Sequence, residues 1–599
     1  MDILSFLLQA GALIAAVFCL WNMIGVLNLR KGYSFGRGFI AVMFLFFAEI
    51  LIGKSIFSFE WRAGWLFFLS WVSIFPVLEI YSAKGSQGLN FSHLTSYIEL
   101  SCAGMVLLTL FSNMGSFAGV NEQFFMWIVF IILLISGFIS TAYLLYYWVY
   151  GKAFSEGDML PILQTYQSEA VEYIRDQIGW KKLIIMSALF VIYLILTQSI
   201  IFSGGGGKSI VRETEFTGYG VIVLLIVCIY FLYHYGKRCF PIKDYITAKE
   251  YLKSEMKIMK DHSEAVKKII LDKSPNTEGN ETIILVIGES ACRTHMKAFN
   301  DKYPEETTPW LSKNKEEDGF YLFKNAYSNF PQTSLALSMY LTNKNQYMST
   351  ENDPVVTIID IARKGGYKTY WLSNQAKMGE FSFFGTFVAS TADQTEWTKI
   401  PTDDDGQLLD LLKKIPKEGK KFIALNIMGS HRMYKNRVPK EFIKKTGKKN
   451  HSKTEWYDTT ILYSDYILQS IYEYSKQYLK LRAMIYCSDH GENMQYGHTT
   501  AHFTFDMVQV PMFIYLSEEY RKIHKDRKKN LQEHRNAIFT NDLMFDTLCG
   551  IMNLPNNFYN KRYDLSDEKY DLPLEVAVTN HGKTKISEDE LLNMQKYEK

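Results

Sequence analysis

Cysteine is scarce and scattered in this 599-residue sequence: Cys19, Cys102, Cys228, Cys239, Cys292, Cys487 and Cys549, odd in number and never close-spaced. That pattern excludes a disulfide framework and a thiolate metal site. Charge of one sign is equally lacking, with a net of +3 and no basic stripe interleaved with aromatics, so nothing argues for a nucleic-acid partner. The pairs Lys444-Lys445 and Lys448-Lys449 read as solvated loop, and His262 and His451 as surface residues. No internal repeat or low-complexity tract occurs.

What the sequence does hold is two unlike halves, and its length calls for at least two domains. Long apolar runs dominate residues 1–240, while 241–599 hold most of the Lys, Asp and Glu. A bilayer-spanning helix needs about 20 mostly apolar residues. Seven runs meet that length: 3–28, 38–58, 63–83, 96–116, 124–149, 182–203 and 217–236. The first is too long, and lacks the basic start, for a cleaved signal peptide. Trp61, Trp65, Trp127 and Trp148 near run ends read as interfacial aromatic belts. Arg30, Lys31 and Arg37 mark the first loop as cytoplasmic, which with seven spans puts 241–599 in the cytoplasm too. The 151–181 segment reads as an amphipathic interfacial helix. Residues 241–280 read as a linker whose apolar positions (Tyr251, Met256, Ile258, Met259, Ala265, Ile269 and Ile270) fit a helix along the membrane surface or a plain connector.

The remainder, 281–599, alternates strand and helix patterns. Short apolar runs at 282–287, 367–372, 422–427 and 483–487 read as buried strands, and helical patterns fall near 354–364, 406–413, 456–478 and 541–552. Such alternation predicts a mostly parallel sheet covered by helices. Those strands run into Gly288-Glu289-Ser290, Ser373-Asn374-Gln375, Gly429-Ser430-His431 and Ser488-Asp489-His490-Gly491-Glu492. Open α/β sheets bind ligands beyond the carboxyl ends of their strands, so these four segments converge on one crevice.

Carboxylate and imidazole donors without thiolate suit zinc, and less well manganese. Glu289, Asp489 and His490 supply three ligands and leave a fourth position for a nucleophile or water. His431 and His498 remain for a second metal, for phosphate oxygens or for leaving-group protonation, with His502 a competitor of His498. Asn374 and Gln375 stand as substrate contacts, and Glu492 could equally cap a following helix. A nucleophile belongs near a helix start, where Thr333 and Ser334 both qualify and either could serve merely as an N-cap.

The segment Gly288-Glu289-Ser290, with EETTPWL at 305–311, YDTTILYSDYIL at 457–468 and SDHGE at 488–492, closely resembles the phosphoethanolamine transferases of Gram-negative inner membranes, which belong to the alkaline-phosphatase/sulfatase superfamily. GYKTYWLSNQ at 366–375 and MGSHRMYKNRV at 428–438 resemble the subgroup that modifies the phosphorylated inner core of lipopolysaccharide. The resemblance covers 280–555; the membrane half is similar only in kind. It implies a multi-pass α-helical inner-membrane domain joined to a periplasmic, sulfatase-like α/β domain, with five spans where the sequence offers seven. It implies Thr333, within TSLALSMYLT, as nucleophile, and Glu289, Thr333, Asp489 and His490 as ligands of one zinc ion, with room for a second. His431 and His498 match histidines near the transferred phosphate. The implied reaction is ping-pong: Thr333 attacks phosphatidylethanolamine, releases diacylglycerol and passes phosphoethanolamine to a lipopolysaccharide acceptor. Lipid A-modifying members carry paired cysteines that this chain lacks, which points to the inner core.

Three other readings share parts of this pattern. A sulfatase would need a Cys or Ser in a C/S-x-P-x-R context, which is absent, and Cys292 in ACRTH does not fit. A glycerol-phosphate transferase of the lipoteichoic-acid synthase type would share the fold, threonine and metal but use phosphatidylglycerol. A membrane sensor with a degenerate transferase domain would not retain every metal-ligand type.

Overall fold

The computed structural model describes residues 44–45, 48–49 and 56–592, apart from 83–90, 119–120, 155, 165–169, 172, 203–214, 275–277, 349–352, 376, 378–383, 399–403, 448, 450–451 and 500–501. Its chain divides into two compact units, Met1–Glu250 and Tyr251–Lys599.

Among the described residues of the first unit, four helices are long and apolar enough to cross a membrane: Phe59–Tyr81, Thr95–Asn113, Gln123–Tyr150 and Trp180–Phe202. Each lies within a few residues of an apolar run read from the sequence. A further helix, Glu215–Gly236, covers the run at 217–236. The run at 3–28 lies outside the described residues, and that at 38–58 is described only in part. Much of the apolar surface of these helices faces outward: Ile184, Leu189, Ile192 and Ile195 are each at least half exposed. Water would not tolerate such a continuous apolar face, and lipid does.

One expectation for this half changes. Trp127 and Trp148 are exposed as belt residues would be, but Trp61 and Trp65 are buried. The Trp65 indole N–H donates to the Ile56 carbonyl at 2.7 Å, so its polar edge is satisfied inside the bundle. Within the 151–181 segment the described residues hold a helix at Glu156–Gln164 and a π-helical turn at Ile174–Ile178, and 165–169, between them, lie outside the described residues.

The linker region is a helix, Ile242–Lys267. Within the second unit, its apolar residues Met259 and Ala265, with Ile269 just beyond, are buried in the soluble core. Those three are spent on protein packing, as a connector helix requires, while Met256 and Ile270 of the same set are exposed. His262, read as a surface residue, is held at 2.8 Å by Asp360 and packs edge-on against Phe387. His451 lies outside the described residues.

The second unit is built on a seven-stranded sheet. Its strands, in chain order, are β1 (Glu281–Gly288), β2 (Phe320–Leu322), β4 (Lys368–Ser373), β5 (Gln394–Trp397), β6 (Lys420–Asn426), β7 (Leu481–Ser488) and β8 (Met512–Leu516). The spatial order is β2-β8-β7-β1-β6-β4-β5. A short β3 (Asn325–Tyr327) pairs instead with β9 (Ile538–Thr540). From β7 through β5 all neighbours are parallel; β8 runs antiparallel to both β7 and β2. The central strands are apolar on both faces because both are covered. Ile283, Leu285 and Ile287 enter one core, while Ile284 and Val286 enter the other. A capping box of Ser452 and Glu455 starts the long helix Lys453–Tyr478, which buries Tyr457, Ile461 and Ile467 against the second core.

Strand register brings the chain segments beyond the sheet together. Gly288 is level with Ser488, Ile287 with Asn426, and Ser373 with Asn426. Four strands therefore release their chains side by side at one edge of the sheet.

Candidate active site

Just past β1 and β7, Glu289, Asp489 and His490 are buried, and one ligand-type atom of each lies within 4.8 Å of the others. Thr333, the first residue of the helix Thr333–Tyr340, faces them. Its Oγ1 is 3.2 Å from Glu289 Oε2, to which it donates, and 3.2 Å from His490 Nε2. The N-cap position belongs to Gln332, so the Thr333 hydroxyl is not an N-cap. Ser334 differs: its hydroxyl is buried with no hydrogen-bond partner.

Outer contacts orient the cluster. The Gln375 amide donates to Glu289 Oε2 at 2.9 Å and to the Ile427 carbonyl at 3.1 Å. The Ser290 hydroxyl donates to Glu289 Oε1 at 2.7 Å. Asp489 Oδ1 accepts from the backbone N–H groups of Ser290 and His490. His490 Nδ1 lies 2.7 Å from the Gly491 carbonyl; a proton there directs the lone pair of Nε2 toward the carboxylates.

A cation fits this donor set. Asp489 Oδ2 is buried without a hydrogen bond and has His490 Nε2 at 3.6 Å; an unbonded buried oxygen costs about 1–3 kcal/mol, which a cation against it would offset. Two carboxylates and a neutral imidazole carry the charge that one divalent ion cancels. Without one, protons take its place. Burial and then the Glu289 charge push Asp489 up to about 8. Burial opposes a charge on His490, but Asp489 and Glu289 prevail and raise it to about 10. Burial also works against Glu289, yet the hydrogen bond and charge of His490 hold that carboxyl below its usual range.

A second group of metal-type donors adjoins the first: His490, Glu492 and His498. Residues 493–499 hold no helix for Glu492 to cap; it pairs with His498 Nδ1 at 2.5 Å and accepts the Tyr434 hydroxyl at 2.8 Å. The His490 and His498 rings are 4.5 Å apart. His431 lies near enough to Glu289 and His498 to feel their charges, and burial first of all pushes it down to about 3. Gly429 takes φ +51°, and a Cβ there would press on the Glu289 backbone at 2.9 Å. That close approach lets Ser430 N–H bond the Glu289 carbonyl and bring the His431 loop over the site.

The remaining sequence candidates lie elsewhere. Asn374 is buried, and its amide is engaged by Asp405 and Thr398. Asp405 in turn accepts the backbone N–H groups of Met428 and Gly429, so Asn374 holds the His431 loop from behind. His502 stacks on Tyr496, with rings 4.3 Å apart, and belongs to neither donor group. Ser290, Asp405, Tyr434 and Arg437 were not singled out from sequence. Only Ser290, in the Gly-Glu-Ser turn, had a recognisable local signal. Six cysteines fall among the described residues, all buried and none in a disulfide there; Cys19 lies outside them.

The family model for sulfatases matches residues 281–554. Residues 281–554 are a sulfatase-family domain. Proteins similar to this chain are named phosphoethanolamine transferases. EptC of Escherichia coli O18:K1:H7 (strain RS218 / NMEC) is 25% identical over 443 residues, covering 66% of this chain and 76% of that protein. EptA of Helicobacter pylori (strain ATCC 700392 / 26695) is 30% identical over 291 residues, 44% of this chain and 53% of its own. The solved integral-membrane lipooligosaccharide phosphoethanolamine transferase A of Neisseria meningitidis superposes with a TM-score of 0.56 at 16% identity, covering 84% of this chain and 97% of that one. That likeness shows a shared fold: apolar helices long enough to cross a membrane, followed in the chain by an α/β domain.

Proposed function

We propose that this chain transfers phosphoethanolamine from phosphatidylethanolamine to a lipopolysaccharide acceptor, the inner core in preference to lipid A, from a domain on the periplasmic side of the inner membrane. The observation that carries this reading is the Thr333 hydroxyl at the start of a helix, 3.2 Å from both Glu289 and His490. The names of the relatives supply the transferred group.

Glu289, Asp489 and His490, with Thr333 as fourth ligand, would hold a zinc ion. When bound, it supplies positive charge that lowers the Thr333 hydroxyl pKa and offsets phosphoryl charge. Thr333 Oγ attacks phosphorus, forming the Thr–O–P bond as the bond to the diacylglycerol oxygen breaks. The helix N-terminus behind Thr333 favours the phosphoryl oxygens. Glu492 holds His498 Nδ1–H, and burial keeps that ring's pKa below its ordinary value, so Nε2 can take the proton the Thr333 hydroxyl loses and give it up to the departing oxygen. Burial keeps His431 neutral, so it can take the acceptor hydroxyl's proton in the second half-reaction. Gln375 acts through Glu289, which it orients.

Mass spectrometry of envelope glycolipids tests the proposal. Cells carrying the chain should gain one phosphoethanolamine unit on core fragments, and cells carrying Thr333→Ala should not. A glycerol-phosphate adduct on the Thr333 peptide would replace this reading with the lipoteichoic-acid type; no adduct and no modified glycolipid would end it.

A further inference from the structure

The segment that carries His431 continues into an unusual run of charge. Between 431 and 453 stand nine lysines and arginines against the single acidic residue Glu441, in a chain whose net charge is only +3. Its inner cations belong to the site: Arg437 reaches His431 Nδ1 at 3.5 Å, and Arg432 lies 3.9 Å from Glu492. Its outer cations point away. Lys435, Lys440, Lys444, Lys445 and Lys449 are exposed, and among the described residues none of them forms an ion pair. Among the described residues their ring contacts are loose: Lys435 lies 5.9 Å from Trp456 and Lys445 5.8 Å from Tyr466.

The segment is also anchored. Tyr434 bonds Glu492 and packs against Tyr457, and Phe442 packs against Tyr463 and Tyr466. Lys435, Lys440, Lys444 and Lys445 thus ride on a short helix, Lys440–Thr446, and the turn Tyr434–Asn436, both fixed against the long helix 453–478. Solvation alone does not require like charges to be gathered beside a catalytic edge, where they repel one another.

We propose that Lys435, Lys440, Lys444, Lys445 and Lys449 form a docking surface for a polyanionic glycan, the phosphate-bearing sugar region of the acceptor. This rests on the transfer reaction above and names the part of the molecule that receives the second substrate. The zwitterionic donor headgroup has no net charge for such a surface to attract. An anionic bilayer surface is the rival occupant, but membrane-binding basic segments set exposed apolar residues beside their cations. Here no large exposed apolar residue falls among the described positions 431–453. The surface would gather acceptor by long-range attraction and set its register, leaving the chemistry to Thr333 and the histidines.

The test uses the full-length protein in nanodiscs and the variant K435E/K440E/K444E/K445E, which spares the donor groups of the site. Two half-reactions are followed: labelling of Thr333 by phosphatidylethanolamine, and transfer from it to a core oligosaccharide with its phosphates intact or removed. Expected are unchanged Thr333 labelling, an acceptor KM raised about tenfold or more, and loss of the salt dependence seen with the unaltered protein. Removing the acceptor's phosphates should raise KM for the unaltered protein and leave the variant indifferent. An unchanged acceptor KM overturns the proposal. So does a loss of Thr333 labelling that depends on anionic lipid in the disc, which would assign the surface to the membrane. If the unaltered protein is never labelled, it is the transferase reading that fails; direct binding of phosphorylated oligosaccharide to the two proteins then decides the docking surface independently, equal affinities overturning it.

Discussion

The Thr333 hydroxyl and His490 Nε2 meet at 3.2 Å, although 157 residues separate them in the chain. Each is at the start of its own excursion from a regular element, Thr333 opening a helix and His490 leaving β7, and Glu289 closes the triangle from β1. Removing the hydroxyl leaves the other donors in place. Thr333→Ala should lower transfer at least about a thousandfold while retaining most bound zinc, read by metal analysis alongside turnover. Thr333→Ser should keep measurable activity. Substantial turnover in Thr333→Ala would shift attention to Ser334, whose hydroxyl does not contact the cluster here.

Gln375 touches the Glu289 carboxylate without belonging to the donor group itself. Gln375→Ala should weaken zinc binding about 10–100-fold, the usual effect of losing an outer hydrogen bond to a ligand. Competition with a chelator of known affinity measures this, with activity partly restored by added zinc. If affinity stays unchanged while donor KM rises, Gln375 touches substrate and not the ligand.

Asn374, its neighbour, should behave differently. Asn374→Ala deprives buried Asp405 of an amide donor, at a cost of about 1–3 kcal/mol. The soluble unit should melt earlier and kcat should fall with loosening of the His431 loop. A rise in donor KM with an unaltered melting curve would instead make Asn374 a substrate contact.

Glu255 tests the linker helix. Burial raises its carboxyl to about 7 from an ordinary 4.5, despite the Tyr251 hydroxyl that donates to it at 2.7 Å. The folded state therefore binds a proton more tightly than the unfolded state, so stability falls as pH rises from about 4.5 through 7. Glu255→Gln removes that slope. It should raise the melting temperature at pH 8.5 relative to the unaltered protein and change it little at pH 4.5, the difference corresponding to at most about 3 kcal/mol. Equal shifts at both pH values would refute the assignment.

The legible features were those with strong local causes. β1, β4, β6 and β7 are unbroken apolar runs because both sheet faces are covered, and the Ser452–Glu455 capping box announces the long helix. The edge strands escaped notice: β2 has three residues, and β5 alternates between exposed and half-buried positions. Asn374 and Gln375 looked interchangeable, yet successive residues leave a strand in opposite directions, one toward Asp405 and one toward Glu289. Likewise His498 and His502 stand four apart in one loop, and only the fold gives Glu492 to the first and Tyr496 to the second.

The sequence by itself determined the division into an apolar and a strand–helix half, the parallel core of the sheet, and the donor types at its carboxyl edge. Those depend on periodicity and on composition, which neighbouring residues carry. Only the tertiary structure decided which hydroxyl faces Glu289, which carboxylate holds His498, which tryptophans turn inward, and that Asp489 keeps one buried oxygen open for a cation. These depend on which atoms of distant segments approach within a hydrogen bond, and strand register and helix packing set those distances.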